Sequence, residues 1–478
     1  MNIPFAKSPP KHRIKKTFVF NFYNFYNFFN FYPFHNFYNF YSSYNFLQKT
    51  MPGKRKQTNK KTRCCRLLMV ATLVVPLFSI LASLFSCSSE QFEIPAEEVP
   101  STGLPFLYLH TPNEAEITRG LMENVSLTMT APSGHYDYSD YSDVVMVKGH
   151  GNTSWVDPKK PYSIFFPDEN NIPCLPPGSN RLVLANYKDL TLMRNELAFF
   201  MAREIGGRTD VPQTCFVDLM LNGKYAGIYL LCESAEDVCM REGDSIVVEV
   251  DGKARYHETT FRTSRLVHPV SIHHPDVEFD IVTYDNISRY IQQAEDALFA
   301  EDFTNPVSGY GNYFDMDSFV EWYLVNEMAK NCDAVFYTSC FMHFSPGGKL
   351  KMGPVWDFDI AFGGYPYSKD WLINNPKNFY IKFSEWYGRL FDDPAFVAKV
   401  KERFAVYYAH RQDIIDHIDA TCRLLADKVP LDNHIWGCLC SKTASAERVK
   451  STYAKEAEEL KNWLLKRMDW LHENLEKL

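Results

Sequence analysis

The pattern of apolar and polar residues between positions 315 and 364 predicts a helix followed by a β-hairpin. In the first part, apolar residues recur at the spacing of one helix face, at Phe319, Trp322, Tyr323, Val325 and Met328. Asp315 or Asp317 is a suitable cap for the start of this helix. Two further segments, 337–344 and 349–356, flank a Pro-Gly-Gly turn and predict the hairpin. The hairpin ends in Trp-Asp-Phe-Asp at 356–359.

Carboxylates follow both the helix and the hairpin. Residues two apart in a strand face the same side, so we expect Asp357 and Asp359 to point together. Two close carboxylates repel unless a cation lies between them or one is protonated, and Mg²⁺ takes one or two protein carboxylates together with phosphate oxygens. Asp333, at the end of the helix, could then orient an attacking hydroxyl, in the order that protein kinases use. The alternative is structural, because aspartates commonly cap helices and turns.

The earlier part of the chain reads mainly as strands. Segments 106–112 and 125–132 are strand-like, and an apolar strand at 144–147 leads into a glycine-bearing turn with Gly151 and Asn152. Lys159 and Lys160 then precede the strand-like run 163–166. A strand, a glycine loop and a second strand opened by lysine would suit a cover over phosphates. The plain alternative is a turn with two solvated lysines.

Further elements follow in order. Segment 181–205 begins as a strand and continues as an amphipathic helix capped at Asp189 or Thr191. A hairpin at 216–233 turns at Asn222-Gly223 and ends at Glu233, and 245–252 is another strand. Segments 286–300 and 385–478 are predicted to be helical.

Composition limits the classes of function. The chain has 478 residues, 46% of them hydrophobic, which is enough for one large or two medium domains. The net charge of -8 argues against a nucleic-acid partner, which would require a basic surface. The cysteines after Cys87 show no zinc-finger spacing. We interpret most of them as buried apolar residues, with one or two disulfides possible.

The first 102 residues divide into three segments. Residues 1–50 are a low-complexity run of Asn, Phe and Tyr, which we attribute to a start codon placed too far upstream of Met51; a genuine prion-like tail is the alternative. Residues 51–87 have the parts of a signal peptide and end in a lipobox-like sequence at Cys87, the predicted lipidation site, although the same apolar stretch is long enough for a retained membrane span. Residues 88–102 are a linker. The expected product is an exported, membrane-anchored lipoprotein on the periplasmic face or cell surface.

From 103 to 478 the chain resembles the CotH kinase family. The resemblance rests on five segments in the family's order: 147–166, 184–198, 221–233, 326–333 and 353–363. The most distinctive is GPVWDFDIAFG at 353–363. The resemblance implies an α+β, atypical protein-kinase-like fold, in which a β-rich N-terminal lobe precedes a mainly helical C-terminal lobe and ATP binds between them.

The resemblance also implies roles for single residues. Asp333 would be the catalytic base or hydroxyl-orienting residue, and Asp357 and Asp359 would bind Mg²⁺ or Mn²⁺. The implied nucleotide-binding residues are Gly151, Asn152, Lys159, Lys160, Arg194 and Glu233. His150 stands where the family commonly has arginine.

Two functions are therefore expected. The first is metal-dependent phosphoryl transfer from ATP to a protein Ser or Thr hydroxyl. The alternative is a weak or inactive kinase fold that serves as a surface binding or structural lipoprotein, with an unknown protein or glycan held in the cleft or on an aromatic surface made of Trp155, Trp371, Trp386 and Trp436.

Overall fold

The structure is a computed structural model. It describes residues 103–130, 140–169, 171–185, 189–241, 243, 245–255, 258–364, 372–437 and 452–478. The predictions for residues 1–102, including the signal peptide and lipidation at Cys87, lie outside the described residues. None of the helices in the described ranges is both long enough and apolar enough to cross a bilayer.

Seven strands of the described chain form a closed barrel in the order β1-β2-β3-β4-β5-β7-β6. They are β1 Phe106–His110, β2 Met122–Thr130, β3 Tyr141–Gly149, β4 Tyr162–Phe165, β5 Arg181–Ala185, β6 Thr214–Leu221 and β7 Lys224–Glu233. The pairs are antiparallel except β1–β6, which is parallel. Alternate residues such as Leu107 and Leu109 are fully buried, which gives the barrel its own apolar core.

The β6–β7 hairpin has the predicted turn. Asn222 and Gly223 both have positive φ, of 50° and 76°, as a two-residue turn between twisted strands requires. The strand then continues to Glu233, where the sequence predicts its end.

A second sheet has five strands in the order β12-β11-β8-β10-β9. They are β8 Ile246–Val250, β9 Thr260–Phe261, β10 Val270–His274, β11 Cys340–Phe344 and β12 Lys351–Met352. All of the pairs are antiparallel. The predicted hairpin is therefore present as β11–β12.

The described helices are α1 Arg194–Phe200, α2 Ala235–Met240, α3 Ile281–Phe299, α4 Met316–Ala329, α5 Glu385–Leu390, α6 Pro394–Ala409, α7 Arg411–Leu425, α8 Val429–Trp436 and α9 Tyr453–Leu475. The predicted helix at the centre of the chain is α4, and Asp315 caps it by accepting from the Ser318 N–H at 2.9 Å. Every residue of α4 from Phe319 to Ala329 is buried, so the helix beyond its first turn lies inside the main core and has no solvent face. The mixture of sheets and helices confirms the α+β class.

Two local predictions are wrong. β12 ends at Met352, and Pro354, which has no N–H to donate, follows Gly353; residues 353–359 are irregular. Asp357 has a φ of 62°, in the left-handed region, so Asp357 and Asp359 are not neighbours on one strand face. The helix expected from Asp189 or Thr191 starts later, at Arg194, because both Asp189 carboxylate oxygens accept backbone N–H groups at a turn before it.

Candidate functional site

Residues of the barrel and of the second sheet line one cavity of about 420 Å³. From the barrel come the end of β3, the loop after it, and β5. From the second sheet come the turn after β8, the start of β11, and the segment 356–359. The cavity thus collects residues that are distant in sequence, including Gly151, Asn152, Asp357 and Asp359 from the predicted site.

An irregular turn at 357–359, and not the predicted strand, brings both aspartates to the cavity. Phe358 is fully buried, and its N–H donates to Asn195 Oδ1 of α1 at 2.7 Å. Asn331 Nδ2 donates to the Asp357 carbonyl oxygen at 3.1 Å. Two asparagines, one on α1 and one just after α4, therefore hold the segment so that its aromatic residue enters the core while Asp357 and Asp359 line the cavity.

Asp333, Asp357 and Asp359 form a set of three acidic residues, which we call the carboxylate cluster of the site. Asp357 Oδ2 accepts from Ser339 Oγ at 3.3 Å. Burial and the nearby Asp333 carboxylate raise the pKa of Asp357. Asp333 is set back from the cavity surface and makes an ion pair with Lys253, which does line the cavity, at 3.3 Å. Asp333 and Asp357 are therefore close enough for their charges to interact, and Asp359 lines the same cavity as Asp357.

A basic group lines the same cavity and consists of Arg119, Lys148, Arg181 and Arg255. Arg181 Nη1 pairs with Glu236 Oε1 at 2.8 Å, and it is the only one of the four that forms an ion pair with a carboxylate within the described ranges. Burial and the Arg181 charge lower the pKa of Lys148. Cations with so few carboxylate partners favour an anionic ligand.

The glycine loop at 149–154 is held against this basic group. Arg119 Nη2 donates to the Asn152 carbonyl oxygen, and Arg255 Nη2 donates to Asn152 Oδ1, both at 2.8 Å. Gly151 has a φ of 73°, and a side chain there would also collide with Ser154. The loop conformation therefore depends on glycine and on two arginines from separate parts of the chain.

His150 is internal to this loop and does not supply a charge. Its Nδ1 lies 2.9 Å from Ser163 Oγ of β4, and burial lowers its pKa. A neutral imidazole at pH 7 follows, so the positive charge that arginine would bring at this position is absent.

The two predicted lysines do not line the cavity. Lys159 is 1% exposed; its Nζ pairs with Asp432 Oδ1 of α8 and donates to the Ile228 carbonyl oxygen, both at 2.6 Å. Lys160 Nζ donates to the Trp155 carbonyl oxygen at 2.6 Å. The Lys159 side chain fastens the 155–161 segment to β7 and α8, whereas the Lys160 side chain bonds within that segment. These contacts correct the prediction that the two lysines reach a nucleotide in this cavity.

Arg194 and Glu233 are also structural in their contacts. Arg194 is buried and pairs with Asp189, which also accepts its backbone N–H, so the pair closes the turn before α1. Glu233 pairs with Arg241 and accepts the Gln213 N–H at 2.8 Å. Neither residue lines the cavity, so the structure does not bring them to Asp357 and Asp359.

The aromatic surface expected for a binding protein is not assembled as predicted. Trp386 is fully buried and donates to Glu295 Oε2 at 2.8 Å, while Trp436 donates to the Ala226 carbonyl oxygen at 2.8 Å. Trp155 packs where a side chain on Gly149 would otherwise lie. Trp371 lies outside the described residues.

Several cavity residues are absent from the sequence-based set: Lys148, Arg181, Asn195, Glu236 and Lys253. One signal for Lys148 is visible in the sequence, because it is the charged residue that ends an otherwise apolar strand directly before the glycine turn. The other four residues reach the cavity through contacts between segments that are far apart in the sequence, and the periodicity of apolar residues does not predict such contacts.

The donor chemistry of the site is compatible with a hard divalent cation. Across the described ranges, no three or more His, Cys, Asp or Glu side chains are grouped so as to hold a metal ion by themselves. Mg²⁺, however, uses only one or two protein carboxylates and takes its other ligands from phosphate oxygens and water. Asp357 and Asp359 line a cavity that also carries cations suited to phosphate, so the residues fit such an ion.

Comparison with known proteins identifies the class. The family described as CotH kinase protein matches residues 146–471, which is most of the chain and includes every described residue that lines the cavity except Arg119. The chain therefore belongs to the CotH kinase protein family. It is also similar to the inner spore coat protein H of Bacillus subtilis (strain 168), with 27% identity over 188 residues, which cover 37% of this chain and 49% of that protein. The chain thus matches about half the length of that relative.

Proposed function

We propose that this kinase-like protein transfers a phosphoryl group from ATP to a Ser or Thr hydroxyl of a protein, with Mg²⁺ or Mn²⁺ as cofactor. The observation that carries the proposal is one cavity that is lined both by a basic group with few carboxylate partners and by Asp357 and Asp359, with Asp333 set back near Asp357. Phosphoryl transfer needs both, because catalysis consists mainly of positioning the phosphates and neutralising their charge.

Each group has a defined task in this reaction. Lys148, Arg119 and Arg255 would face the phosphate oxygens, and the glycine loop would cover them. Asp357 and Asp359 would hold the divalent cation, whose positive charge would neutralise that of the phosphates. Asp333 would accept a hydrogen bond from the acceptor hydroxyl and so orient it toward the phosphorus atom.

The place of action is also a proposal. The relative's name assigns that protein to the inner spore coat. Together with the signal-like segment at 51–87, this supports an exported protein that is anchored to a membrane through lipid on Cys87 and meets its protein substrate or ligand there. No nucleic-acid partner is proposed.

The test compares the wild-type chain with Asp357→Asn in two assays. The first is the shift in melting temperature with Mn²⁺ and ATP, since a ligand that binds only the folded state stabilises it. The second is transfer of labelled γ-phosphate to the chain itself and to casein. Asp285→Asn, on the exposed side of α3, is the matched control.

We expect a metal-dependent shift and transfer in the wild type and in Asp285→Asn, and the loss of both in Asp357→Asn. Transfer that survives unchanged in Asp357→Asn would refute the assigned role of this carboxylate. A wild-type chain with neither shift nor transfer at millimolar ATP would refute the proposed function and favour the surface-binding alternative.

A further inference from the structure

Lys253 places its ammonium group beside the carboxylate cluster of the site. Its Nζ lies 3.3 Å from Asp333 Oδ2, and its side chain, 24% exposed, lines the cavity together with Asp357. Lys253 belongs to the turn after β8, which is 80 residues from Asp333 in sequence. No motif of the sequence points to it.

The backbone that carries Lys253 is firmly held. The Lys253 N–H donates to Asp251 Oδ1 at 2.8 Å, and the same oxygen accepts from Thr338 Oγ1 at 2.6 Å. The Gly252 N–H donates to the Tyr337 carbonyl oxygen at 2.6 Å, and a side chain on Gly252 would crowd Tyr337. The turn is thus bonded to the segment that follows Asp333, so the Cα of Lys253 stays at a fixed distance from the carboxylates.

The side chain, in contrast, retains freedom. Among the described residues it makes one ion pair, at a distance longer than a tight ammonium–carboxylate contact, and its Nζ lies 5.4 Å from the centre of the Tyr337 ring. It also remains partly exposed to the cavity, where Lys148 and the arginines of the basic group are placed to receive an anion. A flexible four-carbon stem can therefore carry the charge from Asp333 toward a ligand in the cavity.

The charges explain why a cation is needed there. Burial by itself would lower the pKa of Lys253, but the Asp333 and Asp357 carboxylates outweigh it and the pKa is raised. Without Lys253, two partly buried carboxylates would repel each other with no cation between them.

We propose that Lys253 is a positioning residue that acts as the built-in counter-ion of Asp333 and Asp357 and competes with the divalent cation until an anionic ligand draws its ammonium group away. This inference rests on the proposed function, since the anionic ligand is the triphosphate of the nucleotide. The free protein then binds the divalent cation weakly, and nucleotide and metal strengthen each other's binding. Such coupling is reciprocal, so either ligand can be used to measure it.

The experiment titrates the full chain with Mn²⁺ alone and follows the free ion by its electron paramagnetic resonance signal. The variants are Lys253→Met, which keeps the length and removes the charge, and Lys253→Arg, which keeps the charge. Lys349→Met, an exposed lysine of the β11–β12 turn, is the control. The titrations are repeated with a non-hydrolysable ATP analogue.

We expect Lys253→Met to bind Mn²⁺ about tenfold more tightly than the wild type, because a competing charge a few ångströms away is removed. Lys253→Arg and Lys349→Met should stay within about threefold of the wild type, and Asp357→Asn in the Lys253→Met background should abolish the gain. The analogue should raise Mn²⁺ affinity strongly in the wild type and only weakly in Lys253→Met.

Unchanged or weaker Mn²⁺ binding by Lys253→Met overturns the inference, and so does the absence of Mn²⁺ binding by every variant. The two failures are distinguishable. If the wild type transfers phosphate while Lys253→Met binds Mn²⁺ no more tightly, the counter-ion role alone fails. If Lys253→Met gains affinity while no chain transfers phosphate, the counter-ion role holds and the proposed reaction fails.

Discussion

Replacement of Lys159 by methionine separates the structural role of this lysine from the nucleotide-binding role that the sequence suggests. Lys159 and Asp432 are each 1% exposed and lie 2.6 Å apart, and they join the 155–161 segment to α8. Asp432 Oδ1 also accepts the Ile228 N–H at 2.9 Å, at the start of the buried part of β7. The variant leaves this carboxylate buried without its cation.

The expected loss of unfolding free energy is about 3–5 kcal/mol, the range observed when one partner of a buried ion pair is removed. Asp432→Asn keeps the shape and the oxygen acceptor but removes the negative charge. We therefore expect the double variant Lys159→Met/Asp432→Asn to be less destabilised than the sum of the two single variants, by about 2 kcal/mol.

Urea unfolding followed by tryptophan fluorescence measures these differences. Lys160→Met is the control, because Lys160 is only partly buried and donates to a single carbonyl oxygen; we expect it to cost about 1 kcal/mol. The nucleotide-induced shift of folded Lys159→Met should equal that of the wild type. A variant that is stable to within about 1 kcal/mol but has lost the nucleotide effect would refute the reasoning and place Lys159 at the ligand.

Two further predictions concern the cavity walls. Gly149→Ala should displace the Trp155 ring, cost about 1–3 kcal/mol of stability and weaken the nucleotide-induced shift in melting temperature. Gly120→Ala is the control, because a side chain there meets only Thr118 at ordinary contact distance and should change neither quantity. Equal shifts in melting temperature in both variants would contradict this role of Gly149. His273 lies 2.8 Å from Glu249, and although burial opposes its charged form, the hydrogen bond to Glu249 raises its pKa to about 9. Because the folded pKa exceeds the ordinary value of 6.5, the stabilisation should be complete below pH 6.5 and disappear as pH rises through 9. An NMR titration midpoint that stays near 9 in Glu249→Gln would contradict this cause.

The local sequence was sufficient to predict several elements of secondary structure. The Asp315 cap and the apolar spacing after it identify α4, and the Asn222-Gly223 pair identifies the β6–β7 turn, because capping and positive φ are decided within a few residues. The same reasoning does not locate the end of β12, where Pro354 and the contacts of Phe358 with α1 overrule the alternating pattern.

The sequence by itself determined the α+β class, the main helix and hairpins, and the family, and it identified Gly151, Asn152, Asp357 and Asp359, which line one cavity. These follow from short-range patterns and from motifs that stay contiguous in the chain. Only the tertiary structure decided which cations accompany the carboxylates. Lys148 and Lys159 are both lysines beside the same glycine loop, yet one lines the cavity and the other is buried against Asp432 on α8, 273 residues away. A charged side chain is placed by the partner that compensates its loss of water, and that partner is brought by the fold, whatever its distance along the chain.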